Sequence, residues 1–82
     1  MPIKILVFGG LKEVLKKEIC EMPYANGMTV EQAFCQLVAD KHHVRESWKD
    51  KILYAVNLEH VKSSHVLCDG DEVAFMPPVS GG

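Results

Sequence analysis

Only one segment of this sequence has the full pattern of an amphipathic helix. A chain with one such helix can form only a few kinds of fold. Thr29-Val30-Glu31-Gln32 predicts a capping box, in which the Thr29 hydroxyl and the Gln32 amide accept hydrogen bonds from each other's backbone N–H groups. Apolar residues recur at helical spacing, so we expect one helix of about three turns with one apolar face. The residues of that face are Val30, Ala33, Phe34, Leu37 and Val38.

The other apolar segments are short and have the character of strands. Residues 3–8 are rich in β-branched and aromatic side chains with little polar alternation, which is typical of a strand inside a sheet. Asn57 follows another apolar segment as a turn residue, and Asp69-Gly70-Asp71 predicts a tight turn. The expected strands are 3–8, 18–22, 52–56 and 72–76, with an optional short edge strand near 60–62.

Two connections remain between these elements. We expect Gly9-Gly10 to end the first strand as a turn, and residues 11–17 to form a short helical or turn-rich connection. The segment 41–51 is mostly polar, which indicates a linker with a helical turn anchored by Trp48.

The order of these elements predicts an α+β fold, with one main helix packed on one face of a mixed sheet of four to five strands. A chain of 82 residues is large enough for one such domain, and the sequence has no repeat and no second apolar core. We therefore assign residues 1–82 to a single domain.

Composition and charge exclude several classes of protein. No apolar run reaches the length of a membrane span, and the first residues lead directly into a strand without the pattern of a signal peptide. The net charge is −2 and the basic residues are scattered, which argues against nucleic-acid binding. Three widely separated cysteines fit reduced thiols. We expect a cytoplasmic protein that binds neither nucleic acid nor membrane.

The side chains that could hold a metal or perform catalysis show no coherent pattern. The four histidines match no zinc spacing and are accompanied by no cysteine pair. Cys35 and Cys68 have no evident partner base, and the acidic residues of the 69–72 segment are more typical of a solvated turn. We expect no metal site and no catalytic side chain.

The last six residues, 77–82, give the strongest functional signal. Glycine has no Cβ, so Gly81-Gly82 can lie extended in a narrow channel and present the Gly82 carboxylate to a partner's active site. Two prolines favour polyproline II, which would hold this tail away from the body and give it a reach of at most about 20 Å. The alternative is a frayed end. Pro77, Pro78, Val79, Ser80 and Gly81 are the predicted threading residues.

The residues at the end of the chain also carry a family resemblance. Residues 69–82 read DGDEVAFMPPVSGG. This segment resembles the C-terminal block of the small, sulfur-carrying subunits of molybdopterin synthases, which are ubiquitin-like β-grasp proteins. Ala55-Val56-Asn57, Phe8 and Lys12-Glu13 extend the resemblance over the whole length. It implies a β-grasp fold with an exposed diglycine tail.

The resemblance implies a non-catalytic carrier. An E1-like adenylyltransferase would use ATP and Mg²⁺ to adenylate Gly82, and a persulfide donor would convert the adenylate to a thiocarboxylate. The thiocarboxylate would give its sulfur to cyclic pyranopterin monophosphate inside the synthase large subunit, with which the carrier would form a heterotetramer. The carrier would bind no cofactor stably, because the catalytic groups would belong to the large subunit.

Three residues are expected to dock partners: Phe8, Lys12 and Met76. Both faces of the last strand are apolar although only one helix is available, so Phe8 and Met76 should form an exposed patch near the tail. The alternative is that segment 41–51 folds over them. Relatives commonly have an alanine and a later arginine in the loop of Gly9-Gly10 and Lys12, and an aromatic residue at position 76.

Three rival functions are also consistent with this sequence. The closest is the related sulfur carrier for thiamine thiazole synthesis, which shares the diglycine. A ubiquitin-like modifier would instead join Gly82 to lysines of target proteins. A plain interaction module would make no use of the last glycines.

Overall fold

The computed structural model describes residues 1–48 and 51–76, which form a sheet covered on one face by helices. The strands are β1 (Ile3–Val7), β2 (Ile19–Met22), β3 (Leu53–Val56), β4 (Glu59–Val61) and β5 (Glu72–Met76). The helices are α1 (Gly9–Leu15), α2 (Val30–Leu37) and α3 (His42–Trp48). The predicted α+β class and all the predicted strands, including the optional edge strand, are confirmed. The predicted tail, 77–82, lies outside the described residues.

The sheet is mixed, with the strand order β2-β1-β5-β3-β4. The first and last strands, β1 and β5, lie side by side and run parallel, with Ile5 opposite Val73 and Val7 opposite Phe75. The other pairs are antiparallel. Because β5 is central, the strand that leads into the tail is paired on both sides along its length.

Successive side chains of each strand point to opposite faces of the sheet, one covered by the helices and one open. On the covered face, Ile3, Ile5, Val73 and Phe75 are completely buried. Three aromatic rings, one from α2 and two from the sheet, pack edge to face with ring centroids 5.4 to 6.4 Å apart. They belong to Phe34, Tyr54 and Phe75. The core therefore lies between the covered face and the helices.

Helix α2 begins as its sequence predicts. The Gln32 N–H donates to the Thr29 hydroxyl oxygen over 3.2 Å, and the Thr29 N–H donates to the Gln32 side-chain oxygen over 2.8 Å. This capping box satisfies two N–H groups that the first turn leaves without helical partners. The helix has eight residues, about two turns rather than the expected three, because Val38 leaves helical geometry. Val38 is nevertheless buried, so the predicted apolar face is continuous.

The helical layer is larger than the sequence indicated. Gly9-Gly10 was expected to be a turn, but these residues form the start of α1. Gly9 has a φ of 64°, a left-handed conformation that glycine adopts without strain, and this lets the helix begin directly after β1. The expected helical turn near Trp48 is the seven-residue helix α3, which buries Val44 in the core.

Candidate functional site

The structure brings two of the predicted docking residues to the same end of the open face. Met76 is the last residue of β5, and Phe8 directly follows β1 on the neighbouring strand. The Phe8 N–H donates to the Phe75 carbonyl oxygen over 3.1 Å, which ties the ends of the two strands together. The Phe8 side chain is 46% exposed. The predicted apolar patch is present beside the point where the tail begins.

This patch is one end of a groove that runs along the open face, and we call it the sheet groove. Its volume is about 220 Å³. Ala55 and Ala74 lie opposite each other on β3 and β5 and form its floor, because their small side chains leave space between larger neighbours. The full lining is Leu6, Phe8, Ala55, Leu58, His60, Glu72, Ala74 and Met76.

No residue of α3 lines the sheet groove among those that the structure describes. Helix α3 instead contributes Val44 to the core, and Trp48 packs against that core and lies beside Gly10. The described part of segment 41–51 therefore leaves Phe8 and Met76 open to solvent.

The far end of the sheet groove is formed by the turn between β3 and β4. Val56 pairs with Glu59, so Asn57 and Leu58 alone make the turn. Both have positive φ, 51° for Asn57 and 72° for Leu58, which is the pattern of a type I′ turn. Glycine is favoured at the second position, and a leucine there costs about 1 kcal/mol or more. Leu58 nevertheless occupies it, with its side chain 90% exposed.

A polar network holds this turn against the end of the last loop. The Asn57 side-chain amide donates to one Asp71 carboxylate oxygen over 3.0 Å, and the Cys68 N–H donates to the other over 2.8 Å. The Glu72 N–H donates to the Asn57 side-chain oxygen over 3.1 Å. Asp71 and Asn57 therefore fix the hairpin turn to the start of β5, and with it the position of Leu58.

The third predicted docking residue, Lys12, lies apart from the sheet groove. It is on α1, and its ammonium group lies 3.3 Å from the Glu18 carboxylate in an exposed ion pair. Such pairs hold a side chain weakly, so Lys12 can exchange Glu18 for another carboxylate. Its role in docking stays a prediction.

The lining of the sheet groove includes two polar residues among those that the structure describes. Glu72 lies at the end away from the tail, 3.7 Å from the Lys4 ammonium group, and His60 lies opposite Ala55, level with the groove floor. Within residues 1–48 and 51–76, no cluster of three histidine, cysteine or acidic side chains could hold a metal ion. In the same residues, no helix is long and apolar enough to cross a bilayer. The groove is suited to apolar contact with a protein.

Comparison with known proteins assigns the chain to a family. The sequence pattern of the ThiS family matches residues 5–82. The chain belongs to the ThiS family. This ThiS-family protein is 40% identical over 81 residues to the molybdopterin synthase sulfur carrier subunit of Escherichia coli K12, and the match covers 98% of this chain and 99% of that protein. The predicted resemblance to molybdopterin synthase sulfur carriers is confirmed.

Solved structures agree with this assignment. The crystal structure of SAMP1 from Haloferax volcanii superimposes with a TM-score of 0.83 at 26% identity, over 100% of both chains. A complex of subunits 1 and 2 of the molybdopterin-converting factor from Helicobacter pylori contains a chain that matches with a TM-score of 0.65 at 25% identity, again over 100% of both chains. The fold of this ThiS-family protein is the ubiquitin-like β-grasp, as predicted.

Sequence reasoning found one end of the sheet groove and missed the other. Phe8 and Met76 were predicted because they end strands beside the tail, whereas Leu58 and the alanine floor were not. The available signal was Asn57, which lies between two predicted strands. Asparagine is common at the first position of a two-residue hairpin turn, where it is usually followed by glycine. Leucine in place of glycine obscured it.

Proposed function

We propose that this chain is the sulfur carrier of molybdenum cofactor biosynthesis, with the Gly82 carboxylate as its reactive group. The observation that carries the proposal is the 40% identity to the Escherichia coli molybdopterin synthase sulfur carrier subunit over 99% of that protein's length. The position of the sheet groove supports it, because β5 forms part of the groove floor and leads directly to residue 77.

The carboxylate must first be activated, since a carboxylate is a poor electrophile. An E1-like enzyme transfers AMP from ATP, with Mg²⁺, to Gly82 and releases pyrophosphate. A persulfide then attacks the acyl adenylate and displaces AMP, which gives an acyl disulfide. A second thiol of the donor attacks the donor's own sulfur in this acyl disulfide and forms a disulfide within the donor. The outer sulfur of the persulfide leaves with the electron pair of the broken S–S bond and stays on the carrier as a thiocarboxylate.

The thiocarboxylate is then used inside the large subunit of the synthase. Its terminal sulfur is soft and nucleophilic, and it attacks cyclic pyranopterin monophosphate. Water hydrolyses the remaining acyl bond and restores the Gly82 carboxylate. A dithiolene contains two sulfur atoms, so two carriers are consumed for each product. The contribution of this chain is to position the sulfur, which raises its effective concentration at the reacting carbon.

Docking on the large subunit would use the sheet groove next to the tail. A specific interface buries about 800 Å² on each partner, more than a six-residue tail supplies by itself. The apolar groove at the base of the tail provides the additional area, and Phe8 and Met76 are the contacts nearest the point of entry. The complex of molybdopterin-converting factor subunits from Helicobacter pylori supports a partner of this kind.

A genetic test separates this function from its rivals. The gene is introduced into a strain that lacks its molybdopterin synthase small subunit and into a thiamine auxotroph that lacks its thiazole sulfur carrier. We expect molybdoenzyme activity to return in the first strain and thiamine-free growth not to return in the second. The Gly82→Ala variant should abolish rescue. The Ser80→Ala variant is a matched control in the same tail and should retain it.

Three outcomes would contradict the proposal. Rescue of the thiamine auxotroph alone would assign the chain to the other pathway. Full rescue by the Gly82→Ala variant would contradict the need for a terminal residue without a Cβ, on which the threaded tail depends. Isopeptide-linked adducts of the unmodified chain would indicate a protein modifier.

A further inference from the structure

Leu58 combines two features that the fold itself does not require. It has a φ of 72°, which is unfavourable for a leucine, and its side chain is 90% exposed, so it gains almost nothing from the core. Glycine would remove both disadvantages at this position of a type I′ turn. Backbone strain of this kind is typical of sites where a side chain has a function outside the fold.

The surroundings of Leu58 hold this strained turn in place. The Asn57 side chain is fixed between the Asp71 carboxylate and the Glu72 N–H, at 3.0 and 3.1 Å, and the Asn57 N–H donates to the Glu72 carbonyl oxygen over 2.8 Å. These bonds connect the turn to the central strand of the sheet. The backbone at Leu58 is therefore held in place at the end of the sheet groove, which lowers the backbone entropy lost when a partner binds there.

We propose that Leu58 is a docking anchor for the large subunit of molybdopterin synthase. This inference rests on the proposed function and names a contact for it. The sheet groove is continuous along β5, from Leu58 at the start of the strand to Met76, where the tail begins. The strand β5 has five residues, so about 16 Å separates the start of the tail from Leu58. A large subunit that binds the tail and covers the groove therefore also contacts Leu58. The partner surface facing Leu58 is an apolar socket for its isobutyl group.

Two substitutions at Leu58 separate docking from folding. Leu58→Asn removes the apolar side chain and keeps a residue that tolerates positive φ. Leu58→Gly removes the side chain and the strain together. The matched control is Val66→Asn, because Val66 is also an exposed apolar residue, at 53%, and does not line the sheet groove. Each full-length variant is titrated into purified large subunit by calorimetry, and its melting temperature is measured alone.

We expect both Leu58 variants to raise the Kd for the large subunit about tenfold, as is typical when an interface anchor is removed. The melting temperature of the Leu58→Gly variant should rise by about 4 °C, because the strain is released. The Val66→Asn variant should bind within about twofold of the unmodified chain. A residue that served only the fold would show the reverse, a lower melting temperature with unchanged affinity.

Three results would overturn the inference, and they are distinguishable from one another. If the unmodified chain binds and Leu58→Gly binds equally well, Leu58 is not an anchor and the proposed function stands. If Leu58→Gly binds weakly but also melts at a lower temperature, the residue acts through the fold. If the unmodified chain does not bind the large subunit, the proposed function fails together with this inference.

Discussion

The two faces of the sheet are built from the same strands and both carry apolar residues, yet those residues have opposite surroundings. On β5, Val73 and Phe75 are completely buried under the helices, whereas Ala74 and Met76, the residues between and after them, are partly exposed in the sheet groove. Three helices cover one face, and no described residue of α3 covers the groove. The covered face supplies the buried core, whereas the open face supplies the apolar surface on which the proposed docking depends.

The largest effect is expected on the covered face. Phe75→Ala removes a ring that packs against both Phe34 and Tyr54 at centroid distances of 5.4 and 5.8 Å. The cavity should lower the free energy of unfolding by about 3 to 5 kcal/mol, which urea denaturation followed by circular dichroism would measure. Met76→Ala on the open face is the control, and it should cost less than about 1 kcal/mol. Equal losses would remove the distinction between the faces.

A charge on the floor of the sheet groove should break docking without breaking the fold. Ala74→Glu places a carboxylate where a partner would exclude water, and we expect the Kd for the large subunit to rise about 100-fold, equivalent to about 2.7 kcal/mol. The free energy of unfolding should change by less than about 1 kcal/mol, because the position is partly exposed in the free chain. Calorimetric titration checks the first value. Undiminished binding would show that partners do not use this face.

The polar network at the far end of the groove should contribute less to the free energy of unfolding than the core ring of Phe75. Asp71→Ala removes the acceptor of two hydrogen bonds, from Cys68 and Asn57, and should cost about 1 to 2 kcal/mol in urea denaturation. Asp69→Ala is the matched control in the same turn. Its carboxylate makes an exposed ion pair with the Met1 amine, so its loss should cost less than about 1 kcal/mol. A larger cost for Asp69 than for Asp71 would contradict the importance of the network.

The smallest expected effect is a gain. Gly10 lies in the first turn of α1 with no positive φ, and a Cβ there would lie 3.4 Å from the Trp48 ring. Gly10→Ala should therefore raise the free energy of unfolding by about 0.5 kcal/mol, because the unfolded chain loses freedom. Gly9→Ala should lower it, since Gly9 has a φ of 64°. Destabilisation by Gly10→Ala would show that Trp48 cannot accommodate the added methyl group.

The main elements of the fold could be predicted because their signals are local. The capping box of Thr29 and Gln32, the turn at Asp69-Gly70-Asp71 and the strand at 72–76 all depend on neighbouring residues, and the structure confirms each. The starts of α1 and α3 could not be predicted in the same way. Gly9-Gly10 is typical of a turn, and it is helical here because a left-handed Gly9 joins the helix directly to β1.

Only the end of the candidate site nearest the tail could be predicted, because the rest depends on contacts between distant parts of the chain. Phe8 and Met76 were expected to meet because both end strands beside the tail. The floor of the groove requires Ala55 and Ala74 to be opposite each other, and this depends on the register of β3 against β5, which is a tertiary property. Lys12 was predicted from the resemblance alone, and its ion pair with Glu18 neither supports nor opposes a docking role.

The central claim is that the end of this chain carries sulfur, and intact mass spectrometry tests it most directly. The full-length chain is incubated with an E1-like activating enzyme, ATP, Mg²⁺ and a persulfide donor, and then weighed. The account predicts a mass gain equal to the difference between sulfur and oxygen, located at Gly82 by fragmentation and absent when ATP is omitted. An unchanged mass under conditions in which the same enzyme modifies its own carrier would contradict the account.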